Sequence, residues 1–454
     1  MSGTRIASVS GLRGVVGNGL DPAAVVEFAA AYASTCGPGP IVVAHDGRVS
    51  APLFTSAVLA GVTATGRDVL LLGPAATPTV GRLVRDQKAS GGIQISASHN
   101  PPNYNGLKFF QPAGMVLSPA KGREVLARFE AREFGWAAWD VLGRVRTLED
   151  PDTAHLNAVL KTVDVDAIRR KAFTVVLDAC HGAGGRLGEA LLRSLGCKTV
   201  VLGGEPDGRY DHPPEPTEAN LTAFAAMIPN ARAAVGFAQD PDADRLAIID
   251  ENGRYIGEEL TLALAARQRL AKARGPVVLN LSTSRVTEAI ARELDCPVFR
   301  TPVGEIHVVE KMLAENAVLG GEGNGGVIDP RVGFVRDSFV GMAMVLDLLA
   351  STGEPLSKLA DALPRFAMAK DQYPQRGPTS AGAVTALWDR ISNAYPEATP
   401  ERRDGLRLDW SDRWVHVRAS NTEPIVRVIA EAPTLSVAKA LAREVGRRVT
   451  SEGS

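Results

Sequence analysis

Three aspartates alternate with other residues in Asp240-Pro-Asp242-Ala-Asp244-Arg245. Carboxylates spaced i, i+2 and i+4 repel one another wherever they converge. A divalent cation removes that cost by taking their oxygens as ligands. An EF-hand count puts Glu251 at the twelfth position, but the sixth is Arg245 rather than glycine. Leu246-Ala-Ile-Ile then reads as a strand, with no flanking helix pair. Three carboxylates in so short a loop leave room for water or a phosphate oxygen, which suits magnesium. A solvated acidic turn has the same composition. A second segment, Ser98-His99-Asn100-Pro101-Pro102, presents a hydroxyl ahead of two prolines that fix the turn. Ser98 can act as a nucleophile or phosphate carrier and His99 as a general acid or base. Adjacent side chains diverge, so a protease-type dyad is not indicated, and a capped turn accounts for the same residues. Lys108 adds a cation further along.

Glu322-Gly323-Asn324-Gly325-Gly326 offers a carboxylate and an amide on a glycine loop. Glutamate accepts, and asparagine both donates and accepts, which matches neighbouring sugar hydroxyls. A plain glycine turn matches equally. Arg418-Ala-Ser420-Asn421-Thr422-Glu-Pro, with Arg427 beyond it, gathers two guanidinium groups, two hydroxyls, an amide and backbone N–H donors. That set suits a phosphate dianion, with a solvated loop as the alternative. Arg13, in Ser10-Gly-Leu-Arg-Gly-Val-Val-Gly, is a further candidate phosphate contact or part of a glycine turn. Gly182-Ala-Gly184-Gly185-Arg-Leu-Gly188 follows a strand and opens a helix. Its third glycine falls late for a dinucleotide fingerprint, and no ribose-binding acid is clearly placed. Nicotinamide and flavin are therefore not expected. Without a Walker-type lysine loop, neither is ATP as a phosphoryl donor.

The elements around these loops repeat. A strand–helix–strand–helix–strand pattern starts at Ile41-Val-Val-Ala-His, again at Thr174-Val-Val-Leu-Asp and again at Pro276-Val-Val-Leu-Asn. Such alternation predicts parallel or mixed α/β sheets. Each unit is long enough to carry its own core. The third strands, at Ile93-Gln-Ile-Ser, Ala233-Ala-Val-Gly-Phe and Ala317-Val-Leu-Gly, run into the serine, aspartate and glutamate loops in turn. Ligands gather beyond the carboxyl ends of such strands, so the three loops are expected to face one cleft. From about residue 366 the pattern changes to that of a small α+β domain.

The chain has 454 residues, with 50 basic and 51 acidic side chains, a net charge of −1, and is 45% hydrophobic. This is a globular composition long enough for three or four domains. The near-neutral balance speaks against a large nucleic-acid footprint. No apolar stretch approaches a membrane span, and the first residues lack a secretory core, so a cytosolic protein is expected. Cys36, Cys180, Cys197 and Cys296 are scattered, which fits reduced thiols rather than disulfides or a structural zinc.

Taken in order, Ser-Gly-Leu-Arg-Gly, Ala-Ser-His-Asn-Pro-Pro, Asp-x-Asp-x-Asp-Arg, Gly-Glu-x-Asn-Gly and Arg-Ala-Ser-Asn-Thr-Glu-Pro resemble the motifs of the α-D-phosphohexomutases, from Arg5 to about Glu431. The resemblance implies three similar mixed α/β domains in tandem and a smaller C-terminal α+β domain around a central cleft. The expected boundaries are 1–148, 149–253, 254–365 and 366–454. It makes Ser98 the phosphoserine, whose phosphate oxygen completes a magnesium site held by Asp240, Asp242 and Asp244. Glu322 and Asn324 would bind sugar hydroxyls. Arg418, Ser420, Asn421, Thr422 and Arg427 would hold the phosphate that is not reacting. Arg13, His99, Lys108 and Arg245 would line the reacting end, with the general acid and base open among them. A hexose phosphate substrate, magnesium and a hexose bisphosphate intermediate and activator follow, with no nucleic-acid or membrane partner. Monomer and homodimer both remain open. The forms Gly-Glu-Gly-Asn-Gly-Gly, Ser8-Val-Ser-Gly-Leu-Arg-Gly-Val-Val-Gly and Thr301-Pro-Val-Gly-Glu look most like archaeal-type phosphoglucosamine mutases. The mannose/glucose enzymes share Arg-Ala-Ser-Asn-Thr-Glu-Pro, so phosphomannomutase/phosphoglucomutase is the alternative. An inactive sugar-phosphate regulator would lack Ser98 or a metal aspartate, and all are present. A phosphatase differs in admitting water to the intermediate.

Overall fold

Runs rich in valine and isoleucine become the central strands of three sheets built to one plan. The computed structural model describes residues 6–374, 381–419 and 425–450. In the first sheet, Ile41–His45 lies between Val69–Pro74 and Gly91–Ile95, all parallel, and Tyr104–Phe110 returns antiparallel beside Gly91–Ile95. In the second, Thr174–Asp178 lies between Lys198–Leu202 and Val235–Gln239, with Leu246–Asp250 returning. In the third, Val277–Asn280 lies between Val298–Thr301 and Leu319–Glu322, with Gly326–Ile328 returning. The repeat pattern predicts three strands per unit, and the fold has a fourth in each, which the sequence marks only at Leu246-Ala-Ile-Ile. The serine, aspartate and glutamate segments are therefore hairpin connections at the end of a parallel sheet. A hairpin reverses the chain within a few residues, so each loop is held at both ends by one sheet.

The first sheet is larger than its counterparts. Gly11–Val16, which carries Arg13, extends it beyond Tyr104–Phe110, and Val145–Thr147 extends the opposite edge. The helix Pro22–Thr35, ahead of the first repeated strand, packs against this sheet through Val25 and Phe28. Its N-cap is Asp21, whose side chain accepts the Ala24 N–H.

The second and third units each keep a small core of their own, around Val176, Phe224 and Ile249 in the former and Val278, Val308 and Met312 in the latter, and share a larger one. The shared cluster includes Ile168, Leu177 and Leu187 of the former and Leu279, Ile290 and Leu319 of the latter. The helix Ser338–Thr352 runs through it with every residue from Ser338 to Ala350 buried. Asp337 caps that helix through the Phe339 and Val340 N–H groups. Its other carboxylate oxygen lies 2.7 Å from buried His155 Nε2, and His155 Nδ1 lies 2.9 Å from Thr79 Oγ1. One buried imidazole thus ties the first sheet's unit to the other two.

The C-terminal unit is an antiparallel sheet in the order Ala367–Pro374, Ile425–Ala432, Trp414–Ala419, Leu406–Asp409, Thr399–Glu401, with helices Ala381–Asn393 and Leu435–Thr450. Its junction with the third unit is polar and dense. Trp414 Nε1 donates to Glu431 at 2.8 Å, and the same carboxylate accepts the Arg285 N–H at 3.1 Å. Arg285 also donates to Asp409 and to the Trp410 carbonyl at 2.9 and 2.7 Å. Among the described residues no helix is long and apolar enough to cross a membrane.

Candidate active site

The three hairpin loops share a backbone device. Each holds one residue in the left-handed region: Ser98 at φ 50°, Ala243 at 55° and Gly325 at 83°. For the serine and alanine this conformation costs roughly 1–2 kcal/mol, and such strain gathers at functional sites. It turns the chain sharply enough to bring Ser98 Oγ to 2.8 Å from Asp240 Oδ2, to which it donates across the boundary between the first and second units. His99 Nδ1 lies 3.3 Å from the same Oγ.

Asp240, Asp242 and Asp244 are all fully buried, and one oxygen from each lies within 4.8 Å of the others. Asp242 Oδ1 and Asp244 Oδ1 have no hydrogen-bond partner. Buried carboxylate oxygens without donors are costly, and three convergent ones are the donor set that a hard divalent cation takes. The site therefore fits such an ion. Lys108 Nζ contacts Asp242 and Asp244 at 2.5 and 3.1 Å. Thr77, at the start of the helix Thr77–Asp86, donates through its N–H to the Asp242 carbonyl at 2.9 Å and through its hydroxyl to the Asp242 carboxylate. Burial, reinforced by Asp244 and Asp242, pushes the Asp240 carboxyl well above its usual range. Burial acts upward on Asp244 too, but Arg336, Lys108 and Arg245 outweigh it and hold that carboxyl low. Burial, Arg245 and Arg13 together hold the His99 imidazole well below its ordinary value, in the neutral form.

Arg245 donates its N–H to Asp240 Oδ1 at 3.1 Å. Arg13 donates to Asn100 Oδ1 at 2.9 Å, which places it against the serine loop. Glu322 is buried, and its Oε1 accepts from Asn280 Nδ2 and the Gly304 N–H at 2.8 and 3.1 Å. Asn324 Oδ1 accepts from the Gly326 N–H at 3.3 Å. Arg418 and Arg427 stand directly opposite each other on neighbouring strands of the fourth sheet. Arg418 donates to Asp404 at 3.0 Å, and Asp404 accepts the Val303 N–H of the third unit at 2.9 Å. Ser420, Asn421 and Thr422 lie outside the described residues.

Several residues here escaped the motif reading. Arg336 joins the aspartate and glutamate loops, donating to Asp244 at 2.6 Å and to Glu305 and Glu322 at 2.8 Å each. Glu305 has a buried Oε1 without a partner, and burial pushes its carboxyl up to about 7. Glu259 lies under the glutamate loop: a Cβ on Gly323 would sit 2.0 Å from its Oε2, which accepts the Ser284 N–H at 3.0 Å. The glycines at 182 and 184 have a structural explanation. A Cβ there would lie 2.3 Å from the Pro241 carbonyl oxygen and 2.4 Å from Gln239 Oε1. The segment that resembles a dinucleotide fingerprint is the close-packed floor of the aspartate loop.

Glu259 supplies a pH-dependent stability. Burial raises its carboxyl from 4.5 to about 8, against the lowering effects of Lys370 and the Ser284 N–H. The folded state thus holds the proton more tightly than the unfolded chain, so this contribution is full below pH 4.5 and is lost as pH rises to about 8. Glu259→Gln, measured by urea unfolding across that range, should flatten the stability profile and be more stable than wild type at its upper end. Parallel profiles would place the titration elsewhere.

Four domain families match the chain in order. Phosphoglucomutase/phosphomannomutase α/β/α domains I, II and III match residues 4–136, 153–253 and 257–366, and the C-terminal domain matches 389–447. A phosphoglucomutase/phosphomannomutase of Thermococcus kodakarensis is 38% identical over 394 residues, 86% of each chain. A probable phosphoglucosamine mutase of Methanopyrus kandleri is 33% identical, covering 96% of this chain and 95% of the other. Among solved structures, a putative phosphomannomutase from Thermus thermophilus superposes with a TM-score of 0.83 at 28% identity, over 99% of this chain and 100% of that one. The matched domains, their order and their coverage show that the chain belongs to the phosphoglucomutase/phosphomannomutase family, within the α-D-phosphohexomutase superfamily.

Proposed function

We propose that this protein is a phosphohexomutase that moves a phosphoryl group between the 6- and 1-positions of a hexose phosphate, with glucosamine 6-phosphate and glucosamine 1-phosphate as its substrate pair. The observation that carries this reading is the buried Ser98 hydroxyl, aimed at a triad of buried carboxylates from a different unit of the chain. In the first half-reaction the free sugar hydroxyl attacks the phosphorus of phosphorylated Ser98. A new P–O bond forms to the sugar as the P–Oγ bond breaks, the hydroxyl proton passes to a base of the site, and the departing Ser98 Oγ takes up a proton to become the free hydroxyl. Neutral His99, close to Oγ, is one acceptor within reach. The hexose bisphosphate turns over in the cleft, and its other phosphate returns to Ser98 by the reverse chemistry. Arg418 and Arg427, with Ser420, Asn421 and Thr422, would hold whichever phosphate is not reacting, while Glu322 and Asn324 bind the sugar hydroxyls. Phosphoryl transfer asks mainly for positioning and charge neutralisation, and Lys108, Arg13 and Arg245 supply cations at the reacting end.

Asp240, Asp242 and Asp244 would hold magnesium together with a phosphoserine oxygen, which gives the unpartnered Asp242 and Asp244 oxygens a cation to coordinate. Bound there, the ion supplies positive charge where negative charge gathers on the transferring group. Asp242→Asn should raise the magnesium concentration for half-maximal activity by more than the roughly 10-fold typical of losing an outer-shell partner. An unchanged magnesium titration would count against the assignment.

Relatives named probable phosphoglucosamine mutase extend over nearly the whole chain. The name of the Thermococcus kodakarensis relative favours a second reading, phosphomannomutase/phosphoglucomutase. Both are tested by kcat/KM on glucosamine 6-phosphate, glucose 1-phosphate and mannose 1-phosphate, with magnesium and traces of the matching bisphosphates. A tenfold preference, about 1.4 kcal/mol of transition-state discrimination, for glucosamine phosphate is expected. A preference for either other sugar selects the second reading, and inactivity on all three removes both. This reading also places the protein in the cytosol, which the four free cysteines support.

A further inference from the structure

An arginine outside all the loop motifs lies beneath the serine loop. Arg48 is 1% exposed. A guanidinium carries five N–H donors in a rigid fork, and all of them are used. Nη2 donates to the carbonyls of Ser98 and Asn100 at 2.6 and 2.7 Å, and Nη1 to those of Pro101 and Tyr104 at 2.7 and 3.0 Å. Nε donates to Asp46 Oδ2 at 3.0 Å. That oxygen also accepts the Ser96 hydroxyl at 2.7 Å, and Ser96 Oγ accepts the Ser98 N–H at 2.8 Å. Both peptide groups that flank the Ser98 Cα are therefore held, the N–H through Ser96 and the C=O by Arg48. The second unit closes over this arrangement. The Tyr210 ring centroid is 5.4 Å from Arg48 Cζ, and a Cβ on Gly208 would lie 2.7 Å from Arg48 Cα.

We infer that Arg48 is a positioning residue for phosphoryl transfer: by gathering four loop carbonyls it fixes the left-handed backbone of Ser98 and keeps Oγ aimed at the aspartate loop. The inference rests on Ser98 being the phosphoryl carrier. That serine must be leaving group in one half of the cycle and nucleophile in the other, at one place relative to the aspartates. Meanwhile a group carrying about −1.5 to −2 charges comes and goes on it. A loop held from beneath, through carbonyls that the phosphate does not touch, keeps its shape in both states. Lysine cannot substitute, because a point charge with three donors cannot span four carbonyls arranged around a planar fork.

Arg48→Lys is expected to lower kcat by about 10²-fold, the scale of a misplaced reacting group, with KM for the hexose phosphate unchanged. Single-turnover label transfer from radiolabelled glucose 1,6-bisphosphate to Ser98 should slow by the same factor. Arg48→Gly should recover part of that rate when guanidinium ion is added and none with ammonium. Ser96→Ala, which cuts only the relay to the Ser98 N–H, should show the same split between kcat and KM at smaller amplitude, and it decides the matter if the Arg48 variants do not fold. Label transfer at the wild-type rate in Arg48→Lys, or unchanged kcat in Ser96→Ala where the Arg48 variants are unfolded, overturns the inference. So does a loss shared by kcat and KM that guanidinium leaves untouched. Wild-type protein that takes no label at all defeats the mutase reading itself, and this inference with it.

Discussion

Ser98→Ala is expected to lower turnover by about 10⁴-fold or more, the scale of losing a covalent nucleophile, while binding of the hexose monophosphate survives. The two halves of that expectation come from different parts of the molecule. Ser98 is 3% exposed, and the contacts of its hydroxyl at Asp240 and His99 belong to the reacting end. The arginine pair proposed to hold the other phosphate stands on the fourth sheet, in register at Arg418 and Arg427. The substitution leaves both arginines and the Glu322 loop in place, so calorimetric titration should give a dissociation constant close to that of unphosphorylated wild type. Steady-state assay with magnesium and bisphosphate supplies the other half. Normal turnover by Ser98→Ala would sink the phosphoserine mechanism. Loss of both turnover and binding would mean that the serine loop shapes the sugar pocket, which the observed contacts do not indicate.

The largest effect on stability is expected from Arg336→Met, about 3–5 kcal/mol, the usual cost of leaving buried charge without its partner. Arg336 is 12% exposed at its side chain and pairs with Asp244, Glu305 and Glu322, whose side chains are 1%, 8% and 5% exposed. Methionine fills much of the same volume, so the change isolates the charge from the packing. Lys108 still faces Asp244 in the variant, whereas Glu305 loses the guanidinium that offsets its burial. Urea unfolding measures the deficit. Arg336→Lys should recover only part of it, because one ammonium cannot reach three carboxylates in the directions that a planar fork does. A loss under about 1 kcal/mol, typical of an exposed pair, would mean that water reaches this cluster. Activity should fall as well, since the same side chain holds the aspartate and glutamate loops in one arrangement.

Much of the site was legible in the sequence because its chemistry is written in contiguous stretches. The aspartates alternate within five positions of Asp240–Asp244, and the serine, glutamate and arginine loops are equally short. The central strand of each unit announces itself as a β-branched run, at Ile41–His45, Thr174–Asp178 and Val277–Asn280, so the repeat followed from pattern alone. The fold also contains features that pattern could not show. The fourth strand of the third sheet is only Gly326–Ile328, too short to register as a periodic signal. The helix Ser338–Thr352 is buried on every side, so it has no polar stripe to betray which unit it serves. It joins the two units through a shared core, beside the smaller core that each keeps. Arg336, Thr77 and Arg48 have no motif, because their partners lie 92, 165 and 50 residues away at Asp244, Asp242 and Ser98. Nothing local marks an arginine or threonine as the neighbour of a distant loop. The sequence by itself determined which groups are available to the proposed chemistry, since a hydroxyl, a carboxylate or a guanidinium is fixed by residue type. The tertiary structure decided where those groups point, because aim is set by buried hydrogen bonds whose partners only folding brings together.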